Sequence, residues 1–266
     1  MQRSGLITLL TDFGQRDGYV AAMKGVMLSL HPPAQLIDLS HEVEPQNVYA
    51  GAFLLQAHYS YFPPGTVHLA VVDPGVGSER AALACLAGNH FFVAPDNGLL
   101  DFCLDSSGRQ TVRLTQKKFW RETPSFTFHG RDIFAPVAAH LARGESLANL
   151  GEPFELQRRL PSLECRAVGK TLRGQVIYID RFGNLISNIT AQRLRAFSRN
   201  RPVTITLAGH LIGGLCKTYS DVPPDAPLTL IGSFGYLEIG VNLGNAQARF
   251  GVRCGASIAI ELGQTI

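Results

Sequence analysis

Short apolar runs and longer amphipathic stretches alternate along the chain up to about residue 145. Runs rich in β-branched and aromatic side chains predict strands, whereas apolar residues spaced three and four apart predict helices. The predicted strands are Leu6–Leu10, Gln35–Asp38, Val67–Val72, Ala81–Leu86, Phe91–Ala94 and Thr111–Leu114. The predicted helices are Tyr19–Leu30, Val48–Tyr59 and Ile133–Leu141. This alternation is typical of an α/β domain built on a mainly parallel sheet.

The pattern changes in the last third of the chain, where helical periodicity nearly disappears. Short β-rich segments separated by Gly, Pro or Asn predict a small antiparallel β-barrel or sandwich. These segments are GQVIYID, PVTITLA, APLTLIG, YLEIGVN and SIAIEL. The stretch before them is irregular and contains prolines, which is typical of a linker. We therefore predict an α/β domain over residues 1–155, a linker over 156–170 and a β-barrel domain over 171–266.

Composition excludes several classes of protein. Hydrophobic residues make up 45% and charged residues 17% of the 266 residues, and the mean hydropathy is +0.08, which is typical of a globular protein. The net charge of +3 is small and the basic residues are scattered, so no nucleic-acid partner is expected. No apolar run approaches the roughly 18 to 20 residues of a membrane span. The first apolar run is interrupted by Asp12, too early for a signal peptide, so we expect a cytoplasmic protein with no membrane partner.

The cysteines do not suggest a metal centre. The chain has five cysteines and no C-x-x-C spacing, which argues against a structural zinc site. We therefore expect no bound metal.

The first polar cluster lies where the first predicted strand ends and the first helix begins. It contains Asp12 and Asp17 within TDFGQRDGYV, at the edge of the sheet where open α/β folds bind ligands. Asp12 can accept two hydrogen bonds from a ribose diol, or one of the two aspartates can cap the helix. No G-x-G-x-x-G or G-x-x-x-x-G-K-[ST] motif follows the strand, so a dinucleotide or nucleoside triphosphate site is not expected.

Two further clusters in the first domain combine an anion, a cation and a histidine. Asp73 and Arg80 lie in VVDPGVGSER after a predicted strand, and Pro74 and Gly75 fit a type II turn over Asp73–Val76. Two alternatives are open: Asp73 only supports the turn and Arg80 is a surface cation, or the two side chains pair in the sheet-edge crevice. His129 lies in TFHGRDIFAP and, taken singly, fits a structural role better than a catalytic one. Together the three can hold and polarise one water molecule.

The second domain contains two further clusters of polar and aromatic residues, one of which suits a planar ligand. Phe182 and Asn184 flank Gly183 in IDRFGNLISNI, so an aromatic face and a carboxamide can both reach one heterocycle. A tight hairpin has the same composition, and this alternative stays open. The other cluster is the segment Gly232–Ile239.

Five motifs in this order carry a resemblance to a known family: TDFGQRDGYV, VVDPGVGSER, TFHGRDIFAP, IDRFGNLISNI and IGSFGYLEIGVNLGNA. They span nearly the whole chain and resemble the S-adenosylmethionine hydroxide adenosyltransferase family, the hydrolase relatives of the fluorinating and chlorinating enzymes. The resemblance implies an α/β amino-terminal domain joined to a β-barrel carboxy-terminal domain. It also implies a homotrimer with sites between subunits, S-adenosylmethionine as a small-molecule substrate and no cofactor.

The resemblance also implies roles for individual residues. Asp73, Arg80 and His129 match the triad that handles water, and Gly130 falls where the fluorinating enzyme has a serine near its halide. Asp12 matches the ribose-binding aspartate. The other implied substrate contacts are Phe182 and Asn184 for adenine, Asp17, Asp180 and Ser233 for the methionine moiety, and Phe128, Tyr236, Glu238 and the backbone at Val241.

The implied reaction is displacement at the ribose C5′ by activated water, which releases methionine and leaves adenosine. A halide-dependent adenosyltransferase is the nearest alternative. A metal-dependent nucleotide hydrolase is a more distant one, since several loops at strand ends carry aspartate. A non-catalytic protein that binds S-adenosylmethionine or adenosine is an alternative from a different class.

Overall fold

A computed structural model of the protein describes residues 2–161 and 165–263. The chain divides into two compact units, Met1–Pro161 and Ser162–Ile266. This boundary falls within the stretch predicted as a linker, part of which is a strand, Arg166–Val168.

The first unit is an α/β domain. Its strands are β1 (Leu6–Thr11), β2 (Gln35–Ser40), β3 (Val67–Val71), β4 (Ala82–Ala87), β5 (His90–Pro95), β6 (Gln110–Leu114) and β7 (Gly151–Pro153). Its α-helices are α1 (Tyr19–Leu30), α2 (Val48–His58) and α3 (Ala135–Arg143). The sheet order is β2-β1-β3-β5-β4-β6-β7. Strands β2, β1, β3 and β5 pair in parallel and the remaining pairs are antiparallel, so the predicted α/β class is confirmed.

The core of this unit lies between the sheet and helices α1 and α3. Ile7, Leu9 and Leu69 from β1 and β3 are fully buried, as are Met23 and Met27 from α1. Helix α3 begins at Ala135 rather than at the predicted Ile133, because a π-helical turn over Gly130–Phe134 precedes it. Single π-helical turns occur frequently at functional sites.

The pairing of β1 with β3 decides where the first candidate residues lie. The two strands are parallel neighbours, with Thr11 opposite Val71 at their carboxyl ends. The segments that carry Asp12 and Asp73 therefore leave the sheet at the same edge, which is the ligand-binding edge of open α/β sheets.

The second unit is an antiparallel barrel-like sheet, as predicted. In the part of the chain that the structure describes, its strands are β8 (Arg166–Val168), β9 (Thr171–Ile179), β10 (Leu185–Thr190), β11 (Val203–Leu207), β12 (His210–Gly213), β13 (Pro227–Ile231), β14 (Tyr236–Val241) and β15 (Ser257–Leu262). Their order is β12-β11-β15-β9-β10-β14-β13, with β8 paired to β9. A bridge between Leu215 and Thr229 links the chain after β12 to β13, so the sheet is nearly closed. Two short helices, α4 (Ala191–Ser198) and α5 (Ala246–Phe250), interrupt the strands.

No helix within residues 2–161 and 165–263 has the length and apolar character needed to cross a membrane.

Candidate active site

Asp73, Arg80 and His129 form one hydrogen-bonded network in the first unit. The Nε of Arg80 donates to Oδ1 of Asp73 over 2.8 Å, and its Nη2 donates to Oδ2 of the same carboxylate. The same Nη2 lies 2.9 Å from Nδ1 of His129. The side chains of Arg80 and Asp73 are only 10% and 4% exposed, so Arg80 is not a surface cation and the paired alternative holds.

The loop after β3 brings Arg80 back onto Asp73. The N–H of Val76 donates to the carbonyl O of Asp73 over 3.2 Å and closes a turn. The predicted type II turn is wrong, because the left-handed conformation occurs at Gly77 (φ 80) and not at Gly75. A Cβ at Gly77 would lie 2.7 Å from the carbonyl O of Phe126, so both the conformation and the close approach require glycine here.

His129 immediately precedes the π-helical turn Gly130–Phe134. A Cβ on Gly130 would lie 3.3 Å from Sδ of Met23 and 3.4 Å from the rings of Phe13 and Phe128, which leaves little room for a larger residue. Burial lowers the pKa of His129, and the positive charge of Arg80 lowers it further. A guanidinium has only donors, so Nδ1 of His129 is the acceptor in this contact. In this arrangement the neutral ring carries its hydrogen on Nε2.

Asp12 follows β1 directly and is held through its side chain. Its Oδ2 accepts a hydrogen bond of 2.8 Å from the backbone N–H of Gln46. The helix-capping alternative is wrong, because helix α1 has Gly18 at its N-cap with no side-chain hydrogen bond. Asp17 is exposed in the same segment.

Three aromatic rings lie between the Asp12 segment and the His129 segment. The ring centroids of Phe13 and Phe128 are 5.9 Å apart, and that of Tyr19 is 5.8 Å from Phe13 and 5.2 Å from Phe128. Tyr19 is 50% exposed, so the cluster presents an aromatic surface to solvent. Sequence reasoning proposed only Phe128. The signal for the other two was that each aromatic residue closely follows an aspartate in TDFGQRDGY.

A cavity of about 550 Å³ adjoins the network and is lined by both Arg80 and His129. Arg113, Lys117 and Trp120 contribute to its other walls. Two members of the network thus face a space that can hold water.

In the second unit, the carboxylate of Asp180 organises the turn between β9 and β10. Its Oδ1 accepts from the backbone N–H groups of Phe182 and Asn184, each over 2.9 Å. Its Oδ2 accepts from Nδ2 of Asn184 over 2.9 Å. The backbone therefore forms the tight turn of the alternative interpretation. In this turn Phe182 is 74% exposed, whereas the neighbouring Asn184 is buried.

Glu238 on β14 lies near this turn and shares a hydrogen bond with Tyr219. The hydroxyl of Tyr219 donates to Oε1 of Glu238. Burial raises the pKa of Glu238, and the negative charge of Asp180 raises it further. Burial and this hydrogen bond also raise the pKa of Tyr219. Sequence reasoning missed Tyr219, because its turn-rich segment KTYSDVPPD gives no periodicity or motif that singles out a tyrosine.

The remaining candidates of the second unit lie on or next to β14. Ser233 is exposed in the turn between β13 and β14, and burial raises the pKa of Tyr236 at the start of β14. Val241 ends the strand and is buried, 4% exposed, and its carbonyl O accepts the N–H of Gly244 over 3.0 Å.

The structure thus groups the candidates by unit. In the first unit, Asp73, Arg80 and His129 form one network, and the contact between the rings of Phe13 and Phe128 joins the segment of Asp12 to that of His129. The second unit brings Asp180, Phe182, Asn184 and Glu238 to one region. Across the described residues, no three His, Cys, Asp or Glu side chains are grouped closely enough to bind a metal ion.

The fold and the two groups of side chains define a two-domain protein with an α/β unit and a β-barrel unit, each bearing polar and aromatic candidates for ligand contact. Family models match both units: the SAM hydroxide adenosyltransferase N-terminal domain over residues 7–151 and the corresponding C-terminal domain over residues 174–259. The chain therefore belongs to the SAM hydroxide adenosyltransferase family.

Individual relatives agree with this membership. The (R)-S-adenosyl-L-methionine hydrolase of Salinispora arenicola is 39% identical over 262 residues, covering 97% of this chain and 98% of that protein. A crystal structure of an uncharacterized conserved protein from Thermotoga maritima superposes with a TM-score of 0.90 at 36% identity, covering 96% of this chain and 99% of that one. The fluorinase of Nocardia brasiliensis is 27% identical over 297 residues, covering 98% of both chains.

Proposed function

We propose that this chain is an enzyme that hydrolyses S-adenosyl-L-methionine to adenosine and L-methionine. The observation that carries the proposal is the Asp73–Arg80–His129 network, in which Arg80 and His129 line a cavity large enough for water. Asp73 and Asp12 follow parallel neighbouring strands and therefore leave the sheet at the same edge. Full-length relatives at 39% and 37% identity that are named (R)-S-adenosyl-L-methionine hydrolases support the same activity.

In the proposed reaction, a water oxygen attacks the ribose C5′ in line with the bond from C5′ to the sulfonium sulfur. The new C–O bond forms as the C–S bond breaks, and the bonding pair returns to sulfur as the neutral thioether of methionine. The water loses one proton, so the products are adenosine, methionine and H⁺. The leaving group needs no protonation. Catalysis therefore concerns the position and polarity of the nucleophile, and orientation alone can contribute about 7 to 11 kcal/mol in favourable models.

The network suits this task. The fixed positive charge of Arg80 favours a water molecule that develops hydroxide character. The ring of His129 offers its Nε2–H as a donor to that oxygen, because Arg80 occupies Nδ1. Asp73 holds the guanidinium through two oxygens and keeps one lone-pair direction on each oxygen for a water hydrogen.

We assign the remaining candidates to substrate contacts. Asp12 binds the ribose diol through the carboxylate oxygen that Gln46 leaves free. Phe182 and Asn184 contact adenine, and the aromatic surface that includes Phe128 lies beside the reacting centre. Asp17, Asp180 and Ser233 contact the methionine moiety. The other proposed substrate contacts are Tyr236, Glu238 and the backbone of Val241.

Incubation of the purified protein with S-adenosylmethionine, followed by chromatography, tests the proposal. Adenosine and methionine should appear in equal amounts, and in ¹⁸O-labelled water the label should appear in the adenosine 5′ hydroxyl. Activity should persist in EDTA, since we propose no metal or other cofactor. Loss of activity in EDTA would favour a metal-dependent nucleotide hydrolase, and tight binding without product would favour a non-catalytic binder.

A halide-dependent adenosyltransferase is the second candidate, which the fluorinase relative motivates. Chloride or fluoride added to the same reaction should give no 5′-halogenated nucleoside, because His129 and Asp73 favour water at the nucleophile position. Formation of such a product would support the second candidate.

We further propose that the active form is a homotrimer with sites between subunits. The exposed rings of Phe182 and Tyr19 are surfaces that such an assembly would cover. Light scattering should then give three times the protomer mass of 28.9 kDa, whereas a monomer mass would reject the trimer. A cytoplasmic location stays a prediction from the sequence.

A further inference from the structure

A buried histidine, His41, holds the segment that carries Asp12 at two points. His41 directly follows β2, which pairs in parallel with β1, so the segments after both strands leave the sheet at the same edge. The Nδ1 of His41 lies 2.8 Å from Oγ1 of Thr11. The carbonyl O of His41 accepts a hydrogen bond of 2.7 Å from the backbone N–H of Gly14. One residue therefore fixes the chain on both sides of Asp12.

The other edge of the His41 ring faces the carboxylate of Asp38. Its Nε2 lies 3.0 Å from Oδ1 of Asp38, at ion-pair distance but without the alignment of a hydrogen bond. The Nζ of Lys24 donates to Oδ2 of Asp38 over 2.6 Å. In the tautomer that carries its hydrogen on Nε2, next to this carboxylate, the His41 ring accepts the Thr11 hydroxyl at Nδ1. The side chain of His41 is 0% exposed, whereas that of Asp38 is 35% exposed, so the contact with Thr11 is the buried one.

The segment that starts at His41 also reaches the Asp12 carboxylate itself. The backbone N–H of Gln46 donates to Oδ2 of Asp12 over 2.8 Å. Gln46 has a left-handed backbone with φ 65, which is uncommon for a residue other than glycine and persists where surrounding contacts enforce it. The segment 41–46 therefore fixes the backbone around Asp12 at one end and the carboxylate at the other.

We propose that His41 is a positioning residue that sets the place and orientation of the Asp12 carboxylate for the ribose hydroxyls of the substrate. This inference rests on the proposed function, because it takes Asp12 as the group that binds the ribose diol. A diol is recognised by two hydrogen bonds of fixed geometry, so a small displacement of the carboxylate weakens both. His41 acts through Asp12 and does not itself contact the ligand.

The chain offers a matched control on the same strand. Thr8, three residues before Thr11 on β1, places its Oγ1 2.7 Å from Nδ1 of His68, and both residues are fully buried. The Thr8–His68 pair thus has the chemistry and burial of the Thr11–His41 pair without any contact to the Asp12 segment. Thr→Val at the two positions removes the same hydroxyl with little change in shape.

The experiment measures the dissociation constant of adenosine by calorimetry, together with KM and kcat for S-adenosylmethionine. Thr11→Val and His41→Leu should weaken adenosine binding by about tenfold or more, which is about 1.4 kcal/mol, since each releases the backbone that holds the Asp12 carboxylate. Thr11→Val also removes the hydrogen bond that Oγ1 of Thr11 accepts from the N–H of Phe13, so His41→Leu is the more selective of the two. KM should rise with little change in kcat. Thr8→Val should leave the dissociation constant within about twofold of the parent, although it removes an equivalent bond.

The same substitution in an Asp12→Ala background separates positioning from general destabilisation. If His41 acts through Asp12, then His41→Leu should weaken binding no further once Asp12 is alanine, because the two effects are not additive. A full additional loss in that background would overturn the inference, as would an unchanged dissociation constant in both Thr11→Val and His41→Leu. Should Asp12→Ala itself bind adenosine normally, the inference fails with the Asp12 assignment, while continued adenosine formation would leave the proposed hydrolysis standing.

Discussion

The Nη2 of Arg80 lies 2.9 Å from Nδ1 of His129, although the two residues are 49 positions apart in the chain. Because Arg80 cannot accept a hydrogen, this contact fixes the tautomer of the histidine. His129 is then a hydrogen-bond donor towards solvent through Nε2, and it can take up a proton only by giving up its contact with Arg80. The histidine is therefore suited to hold and orient the attacking oxygen rather than to act alone as a general base.

Replacing a member of the network should reduce turnover much more than substrate affinity. We expect Asp73→Ala and His129→Ala to lower kcat by about 10² to 10⁴-fold, the range for a lost acid–base or electrostatic group. The dissociation constant of adenosine should change by less than about threefold, because the polarisation of water matters mainly in the transition state. Steady-state kinetics and calorimetry on the same preparations measure both quantities.

A second ion pair in the first unit, with a buried carboxylate and a partly exposed arginine, provides the control. Asp96 accepts from Arg159 over 2.7 Å, and its side chain is 5% exposed. Asp96→Ala should therefore cost stability but leave kcat within about twofold, as expected for a pair outside the reacting centre. Unchanged adenosine formation in both Asp73→Ala and His129→Ala would reject the assignment of the network.

The acidic limb of the activity profile should reflect His129. Burial and Arg80 lower its pKa from the usual 6.5, so the ring stays neutral at pH 6.5 and gains a proton only at lower pH. Protonation places a hydrogen on Nδ1, which then opposes the donor of Arg80. We expect kcat/KM to be constant near neutral pH and to fall only below pH 6.5. A profile measured from pH 5 to 9 that already falls at or above pH 6.5 would contradict this assignment.

The sequence predicted which candidate residues lie at the ligand-binding edge of the sheet, because the carboxyl ends of parallel strands lie at the same edge. Helix α1 has the predicted bounds, Tyr19–Leu30. Asp12 and Asp73 lie at one edge because each follows a buried strand of a parallel pair. The antiparallel pairing of β4, β6 and β7 was harder to predict, since a short apolar run does not indicate whether the neighbouring strand is parallel or antiparallel.

The contacts between distant segments were not predictable in the same way. The contact of His129 with Arg80 depends on a π-helical turn, and no pattern of apolar residues specifies that turn. The hydrogen bond between Tyr219 and Glu238 joins a loop to a strand, and neither residue stands out by its spacing. Both carboxylate oxygens of Asp180, which is proposed as a methionine contact, accept hydrogen bonds within its own turn. The position of Asp180 after a predicted strand did not indicate these bonds.

The first unit should lose stability in acid because of His68. This buried ring contacts Thr8 and His90, and burial, with a smaller effect of His90, lowers its pKa to about 3. In the unfolded chain the pKa of His68 has its ordinary value near 6.5, so the unfolded chain binds the proton more tightly. The contribution of the neutral ring to the free energy of unfolding is therefore complete above pH 6.5 and is lost as the pH falls towards 3. At pH 5 the loss should be about 2 kcal/mol.

Urea unfolding at pH 7.5 and pH 5 measures this loss. The single tryptophan of the chain, Trp120, lies in the first unit, so its fluorescence reports the unfolding of that unit. A His68→Phe variant, whatever its absolute stability, should lose about 2 kcal/mol less than the parent between the two pH values. An equal loss in both proteins would assign the acid sensitivity to other groups.

Asp101 should control the accessibility of the end of the first unit to protease. Its buried carboxylate accepts the backbone N–H of Arg159 over 3.0 Å and that of Leu160 over 2.9 Å. Hydrogen bonds to a charged group contribute about 1.5 to 3 kcal/mol each, so Asp101→Ala should free this segment and speed tryptic cleavage after Arg158 or Arg159 by at least about tenfold. Asp105→Asn, at the exposed end of the same 3₁₀ turn, should be cleaved at the parent rate. Mass spectrometry of the earliest fragments identifies the cut, and equal rates for Asp101→Ala and the parent would show that other contacts hold the segment.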